Sequence, residues 1–358
     1  MTPMPAKPRL SVVVCTYDRY DVLRDAIHSL LRQQLDPGYL EIIVVDNSPN
    51  QENAARFQAT FANETAVTYL LEPTPGLSHA RNVGVTHARA DRVAFMDDDA
   101  VAAPDWAFHM LRTFDAFASV AGVVGGRVLP RWASAKPLWL SNELLGYLSI
   151  VDWGGSTRPL RSHEWLVGCN IAFDKEMLSS VGGFSRALGR IGAGMALLSN
   201  EETEVTEMIR RAGRIPIYCP EALVHHVIDP ARLTRAWFRR RAAWQAVSDF
   251  IKDSERMAAY SPAAVDHLRQ ELDCRRGPAA GFFAATEDPQ QFKRDAALTY
   301  DLVVTMLVGG AQLDSAGRLA QPIPLTSKLK ARVRAAAQTS PTLRRVLHYG
   351  MRWSGRQL

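Results

Sequence analysis

The chain has 358 residues, 47% of them hydrophobic and 22% charged, with a formal net charge of +5. This excludes a disordered or fibrous polypeptide and leaves room for one large domain or two. The positive balance suits nucleotide phosphates, acidic lipid headgroups or nucleic acid without choosing among them. Cys15, Cys169, Cys219 and Cys274 lie far apart with no CxxC pair; they argue against a disulfide frame or a zinc site and read as reduced residues of a cytosolic protein. The N-terminal "MTPMPAKPRL" lacks the apolar core of a signal peptide. No run approaches the roughly 20 apolar residues of a membrane span. The best candidate, "ALTYDLVVTMLVGGA", is short and carries Asp301.

In chain order, "LSVVVC" (10–15) predicts a buried parallel strand, and Val22, Leu23, Ala26, Ile27, Leu30 and Leu31 repeat at helical spacing. "EIIVVD" (41–46) predicts the second strand. A helix follows, capped by Ser48 with Pro49 in its first turn and Ala54, Phe57 and Phe61 inside. "VTYLL" (67–71), "GLSHARNVGVTHA" and "RVAFM" (92–96) add a strand, a helix and a strand. This alternation predicts a largely parallel sheet with helices on both faces and ligands at the carboxyl ends of its strands. Thr16, Asp18, Asp46 and the triple Asp97, Asp98, Asp99 all fall at such ends.

From about 110 to 195 the pattern is irregular and rich in Gly, Pro and Trp, as lids and substrate walls are. Within "GRIGAGMALLSN" (189–200), Gly189, Gly192 and Gly194 predict a loop able to close over a ligand. A helix over about 200–212 places Val205, Met208, Ile209 and Ala212 inward. Beyond Pro230 a basic, helical C-terminal region is expected. There, Leu233, Trp237, Trp244, Val247 and Ile251 share a stripe, with Arg232, Arg235, Arg239 and Arg240 off it. Such a helix either packs on the rest of the chain with a solvated basic rim or lies on an anionic membrane, and the stripe favours packing.

The turn after the first strand, "CTYDRYD", has no glycine. It therefore carries neither the GxGxxG of a dinucleotide site nor a P-loop. Three adjacent carboxylates repel one another unless they form a solvated acidic turn or a divalent cation joins them. In order, "SVVVCTYDR", "EIIVVDNSP", "PGLSHARNVGV", "VAFMDDDA", "GCNIAF…VGGF" and "NEETEVTEMIRRAGRIPIYCPEALVHH" resemble the inverting family 2 glycosyltransferases of GT-A fold, over about residues 9 to 228. "WLSNELLGYLSIVDWG" and "RLTRAWFRRRAAWQ" resemble members that build surface polysaccharides or lipid-linked glycans.

The resemblance implies a Rossmann-like GT-A domain over 1–229, with a nucleotide-sugar half (1–100) and an acceptor half (101–229), followed by a helical region over 230–358. It implies Mn²⁺ or Mg²⁺ on Asp99 beside the donor diphosphate, with Asp98 as the flanking alternative and Asp97 on the ribose. Asp46 would bind the base, commonly uracil, or form an Asx-turn. Thr16 and Asp18 would line the nucleotide, Asp18 being equally suited to cap a helix. Arg81 would approach the diphosphate, or be a surface arginine. Glu202 would be the general base in place of the usual Asp, with Glu201 in contention. Locally, Ser199-x-x-Glu202 also reads as a capping box. His225 and His226 would point to opposite faces of a strand, and His226 matches a position that completes the metal site or is a satisfied core residue. The implied partners are a UDP-sugar donor and a saccharide or lipid-linked acceptor, without nucleic acid, for a cytoplasmic enzyme with or without peripheral membrane contact. The rivals are a sugar nucleotidyltransferase, which needs a Gly-rich first loop, and a non-catalytic glycan-binding protein.

Overall fold

The structure, a computed structural model, describes residues 7–190, 197–274 and 286–311. Gly192, Gly194 and the expected helices beyond 311 lie outside the described residues. The chain divides into two compact units. The described parts of Met1–Ala133, Leu148–Gly194 and Glu201–Ile228 form the first, and those of Ser134–Tyr147, Met195–Asn200 and Asp229–Leu358 the second.

The first unit is a nine-stranded sheet in the order β3-β2-β1-β4-β8-β6-β9-β5, with β7 beside β9. Strands β1 (Leu10–Thr16), β2 (Leu40–Asp46), β3 (Val67–Leu71) and β4 (Arg92–Asp97) are parallel, as expected. Helices α1 (Tyr20–Leu31), α2 (Gln51–Ala59) and α3 (Leu77–His87) connect them. Their apolar runs are continuous because both faces of the sheet are covered: Val12, Val13, Val14, Ile42, Val44, Val93 and Phe95 are all buried. Each such side chain contributes about 1.5–3 kcal/mol. Gly84 on α3 allows close packing on β1, since a Cβ there would lie 2.3 Å from Val13 Cγ1.

Beyond β4 the sheet mixes directions. β5 (Ala100–Ala102), α4 (Trp106–Ala116), β6 (Ala121–Trp132), β7 (Arg158–Pro159), β8 (Ile171–Asp174), α5 (Lys175–Ser180), α6 (Glu201–Arg211) and β9 (Ile215–Ile228) follow. β8 runs antiparallel to β4 and β6, whereas the long β6–β9 pair is parallel. Buried Asn170, just before β8, ties this half together. Its Oδ1 accepts from Trp106 Nε1 at 2.8 Å, and its Nδ2 donates to the Arg127 and Ala222 carbonyls, each at 2.8 Å.

Three local expectations are corrected. The cap of α2 is Asn50, whose side chain accepts from Asn53 N at 3.0 Å, because Ser48 Oγ is engaged by Asp18 N at 2.8 Å. The helix expected directly beyond Pro230 starts later: Pro230–Arg232 is a short 3-10 turn capped by Asp229, and Thr234 caps the long helix that follows. Ala212 lies past the end of α6 and is exposed, while Val205 and Ile209 are buried.

The second unit packs α7 (Arg235–Lys252), α8 (Ser254–Cys274) and α9 (Pro289–Ala311). Trp237, Phe238, Trp244 and Val247 are buried, so the tryptophan stripe is core. Trp139 lies edge-on to Phe292 and Phe238, at 4.6 and 5.5 Å between centroids. Arg235 covers Trp139 and pairs with Glu287 at 2.5 Å. No helix among the described residues is long and apolar enough to cross a membrane.

Asn170→Ala leaves one indole N–H and two carbonyls buried without partners, each worth about 1–3 kcal/mol. It is expected to lower the stability of the sheet unit by about 3 kcal/mol or more, read as a drop in the urea midpoint.

Candidate active site

The parallel register aligns the carboxyl ends of the strands, with Thr16 opposite Asp46 and Cys15 opposite Asp97. At this edge the triple aspartate divides into three environments. Asp98 is buried, accepting from Thr16 Oγ1 at 2.8 Å and from Arg19 Nη1 at 2.7 Å. Burial pushes its carboxyl up to about 7 even though Arg19 opposes the shift. Asp99 is buried too; its Oδ2 accepts from Arg19 Nη2 at 2.6 Å, and its Oδ1 lies 3.1 Å from His226 Nε2. Asp97 keeps 35% of its side-chain surface and reaches Arg81 Nη2 at 3.4 Å.

Arg19 was not among the residues singled out by sequence. The available signal was one cation, three residues past the end of β1, facing an edge that gathers carboxylates. It relieves their repulsion from within the protein.

A second cluster forms around Arg81. The arginine is only 3% exposed, so the solvated-surface alternative does not hold. Its Nη1 donates to Glu201 Oε1 at 2.8 Å, and its guanidinium lies over Phe95 and Phe184. Gly168 makes room for it: a Cβ there would lie 2.4 Å from Arg81 Nη2. The Gly168 N–H donates to Glu202 Oε1 at 3.3 Å. Glu202 is half-buried as a residue, but its Oε2 is shielded from water and has no hydrogen-bond partner. Burial, then the neighbouring Glu201 charge, pushes the Glu202 carboxyl up to about 7, with Arg81 opposing.

The capping-box reading fails. Ser199 Oγ donates to Gln245 Oε1 at 3.3 Å and accepts from Arg241 Nη2 at 3.1 Å, and Asn200 has φ of 79° before α6 begins. Both acids keep a shielded Oε2 without a hydrogen-bond partner; they differ in that Glu201 is tied to the Arg81 guanidinium through Oε1, whereas Glu202 accepts only the Gly168 N–H.

Asp46 forms a third cluster. Its Oδ1 accepts from Ser48 N at 2.8 Å, which is the Asx-turn arrangement; its Oδ2 accepts from Tyr69 Oη at 2.6 Å and Tyr20 Oη at 3.1 Å. Asp18 has φ of 53° and is exposed; only its backbone N–H joins the network, through Ser48. Gly189, also with positive φ, packs on Ser78, where a Cβ would come within 2.6 Å of the hydroxyl.

The donor set beside Asp99 suits a divalent cation. His226 Nδ1 lies 2.8 Å from the Leu148 carbonyl, which places a proton on Nδ1, and Nε2 faces Asp99 Oδ1 at 3.1 Å. One imidazole nitrogen beside one carboxylate oxygen is a pair acceptable to Mn²⁺. Among the described residues no group of three or more His, Cys, Asp or Glu side chains is placed to hold a metal ion. His225, on the other face of β9, is half-buried.

The edge thus gathers acids, basic residues and a shielded carboxylate where a parallel sheet presents ligands. The sequence profile of glycosyl transferase family 2 matches residues 11–170. The chain is also 30% identical, over 248 residues, to the glucosyl-dolichyl phosphate glucuronosyltransferase of Haloferax volcanii, covering 68% of this chain and 77% of that protein. It therefore belongs to glycosyl transferase family 2. It is 26% identical over 247 residues to the succinoglycan biosynthesis protein ExoM of Rhizobium meliloti, covering 65% of this chain and 71% of that protein. Among solved structures, a crystal structure of GalNAc-T7 with UDP, GalNAc and Mn²⁺ is similar at 12% identity and a TM-score of 0.47, over 69% of this chain and 50% of that one.

Gly168→Ala forces Arg81 away from Glu201 and displaces the N–H that holds Glu202. A misplacement of this size at a reacting group costs about 100-fold in rate. Turnover is expected to fall by that order, with an unchanged circular-dichroism spectrum.

Proposed function

We propose that the chain transfers a sugar, with inversion, from a UDP-sugar to a hydroxyl group of a lipid-linked saccharide or growing polysaccharide. The observation that carries this reading is Glu202, whose Oε2 is shielded and unpartnered and whose carboxyl is raised to about 7 at the edge holding the strand-end aspartates. The acceptor class is suggested by the names of the Haloferax and Rhizobium relatives.

In this reading Asp46 accepts from the base, Thr16 and Asp18 line the nucleotide, and Asp97 accepts from the ribose. Asp99 and His226 would hold Mn²⁺ or Mg²⁺ beside the donor diphosphate. The bound cation supplies positive charge to the departing diphosphate. Arg81 adds a fixed guanidinium near that charge while orienting Glu201, which in turn raises the affinity of Glu202 for a proton. Glu202 Oε2 takes the proton of the acceptor hydroxyl as its oxygen bonds to the anomeric carbon. The bond from that carbon to the diphosphate oxygen breaks, and its electron pair leaves with the diphosphate. One in-line displacement inverts the centre.

Glu202→Gln removes the proton acceptor and keeps the shape. Transfer is expected to fall by about 10²–10⁴-fold, with nucleotide affinity retained in calorimetry. Wild-type-like turnover would remove Glu202 from the mechanism.

A group raised to about 7 is protonated below that pH and becomes a base above it. The rate of transfer is therefore expected to rise with pH through an apparent pKa near 7 and then level off. A rate independent of pH between 5 and 9 contradicts the assignment. Asp99→Asn should weaken Mn²⁺ binding, followed by the amplitude of the free-ion electron paramagnetic resonance signal, at least tenfold without loss of folding.

A further inference from the structure

Two tryptophans of the sheet unit stand at the margin of its core, Trp153 half-buried against it and Trp165 exposed. Trp153 and Trp165 lie in the irregular segments flanking β7 and meet edge to face, with ring centroids 4.7 Å apart and planes at 79°. Trp165 is 39% exposed although the residues on either side of it are fixed. Glu164 is buried and takes both terminal nitrogens of Arg158, each at 2.7 Å; Leu166 and Val167 are buried. Trp153 is fixed as well. Its Nε1 donates to the Trp165 carbonyl at 2.8 Å, and its backbone N–H donates to Tyr218 Oη at 3.1 Å. With the indole N–H of Trp153 consumed and its ring set against the core, Trp165 keeps apolar ring surface in water. Beside it, a Cβ at Gly154 or Gly155 would meet nothing within 4 Å.

The position along the chain gives this pair a purpose. Gly168, whose N–H reaches Glu202 at 3.3 Å, follows Trp165 by three residues, a reach of at most about 10 Å. One or two sugar rings span that distance. A pyranose presents C–H groups on its faces and hydroxyls around its rim. The indole faces match the former through apolar and C–H contacts. Asp152, half-exposed in its ion pair with Arg127 Nε at 3.2 Å, offers an acceptor to the latter. Because the Trp153 ring is held by its hydrogen bond and the Trp165 ring packs edge to face on it, part of the side-chain entropy is already lost before anything stacks. An anionic membrane surface, the other environment that takes exposed tryptophan, finds no excess of cations here, since Arg127 is paired with Asp152 and Arg158 with Glu164.

We propose that Trp153 and Trp165 form the acceptor platform: a pyranose ring of the acceptor stacks on Trp165 and so brings its reacting hydroxyl to Glu202. This rests on Glu202 as the base.

The test uses the full chain as wild type, Trp165→Ala and Trp165→Phe. Tryptophan fluorescence is titrated with octyl β-D-glucopyranoside, galactopyranoside, mannopyranoside and glucuronide below their micellar concentrations, with octanol as the sugar-free control. A saturable change with at least one glycoside is expected in wild type, absent with octanol and lost in Trp165→Ala. The acceptor KM for that glycoside is expected to rise at least tenfold in Trp165→Ala and to stay within about threefold in Trp165→Phe, since a phenyl ring retains the stacking surface. No saturable change with any glycoside, or the same change in Trp165→Ala, overturns the platform. Loss of flotation with phosphatidylglycerol-containing vesicles in Trp165→Ala, with the glycoside titration unaltered, assigns the pair to a membrane and also overturns it. Acceptor-independent release of UDP from a panel of UDP-sugars reports on the donor side separately. Equal release by wild type and Trp165→Ala locates the defect at the acceptor; no release by wild type faults the donor reading instead.

Discussion

The site depends on one buried arginine. Arg81 reaches from α3 to Glu201 at the start of α6 and to Asp97 at the end of β4, joining positions 120 residues apart in the first case. A buried guanidinium without partners would be costly, and so would a buried Glu201; each makes the other tolerable. The aromatic rings of Phe95 and Phe184 close over the cation, and Gly168 must lack a side chain for it to fit. Once this pair is in place, Glu202 has its position and its environment: a negative neighbour, little water and one backbone N–H.

Arg19 performs the corresponding task for Asp98 and Asp99. The two arginines leave different carboxylates in different states. Glu201 and Asp99 have direct cationic partners, whereas Glu202 has none within bonding distance and is pushed toward the protonated form by burial. Two adjacent glutamates in the same helical turn thus acquire unlike chemistry from their surroundings alone, which is how acid and base roles are separated with one kind of side chain.

The change of strand direction after β4 is what assembles these groups. The short β5 runs antiparallel to β9 with Ala100 opposite His226, and that register sets the imidazole beside Asp99. β8 returns between β4 and β6, and the loop before it delivers Gly168 to Arg81 and Glu202. Asn170 satisfies the polar groups that this crossing would otherwise bury, so the same short segment, Gly168 to Asn170, serves both the sheet and the site.

Much of the frame was legible along the chain. The first four strands were readable because parallel strands covered on both faces must be continuously apolar. Their carboxyl ends were readable as a ligand edge because chain order dictates where the turns fall. Local hydrogen bonding was read less well: Ser48 looked like a cap until its hydroxyl was seen to serve Asp18, and Ser199 looked like one until Gln245 and Arg241 claimed it. A side-chain oxygen can serve several donors, and sequence shows only the near ones. Sequence by itself therefore determined the parallel α/β half and which acids gather at the strand ends, since these follow from hydrophobic period and order, while its ordered motifs carried the resemblance to the family. Only the tertiary structure decided that Arg19 and Arg81 neutralise those acids, that Glu201 rather than Glu202 takes the guanidinium of Arg81, and that Trp165 remains exposed beside a half-buried Trp153. Charge pairing and burial are set by partners distant in sequence, whose distances no local pattern encodes.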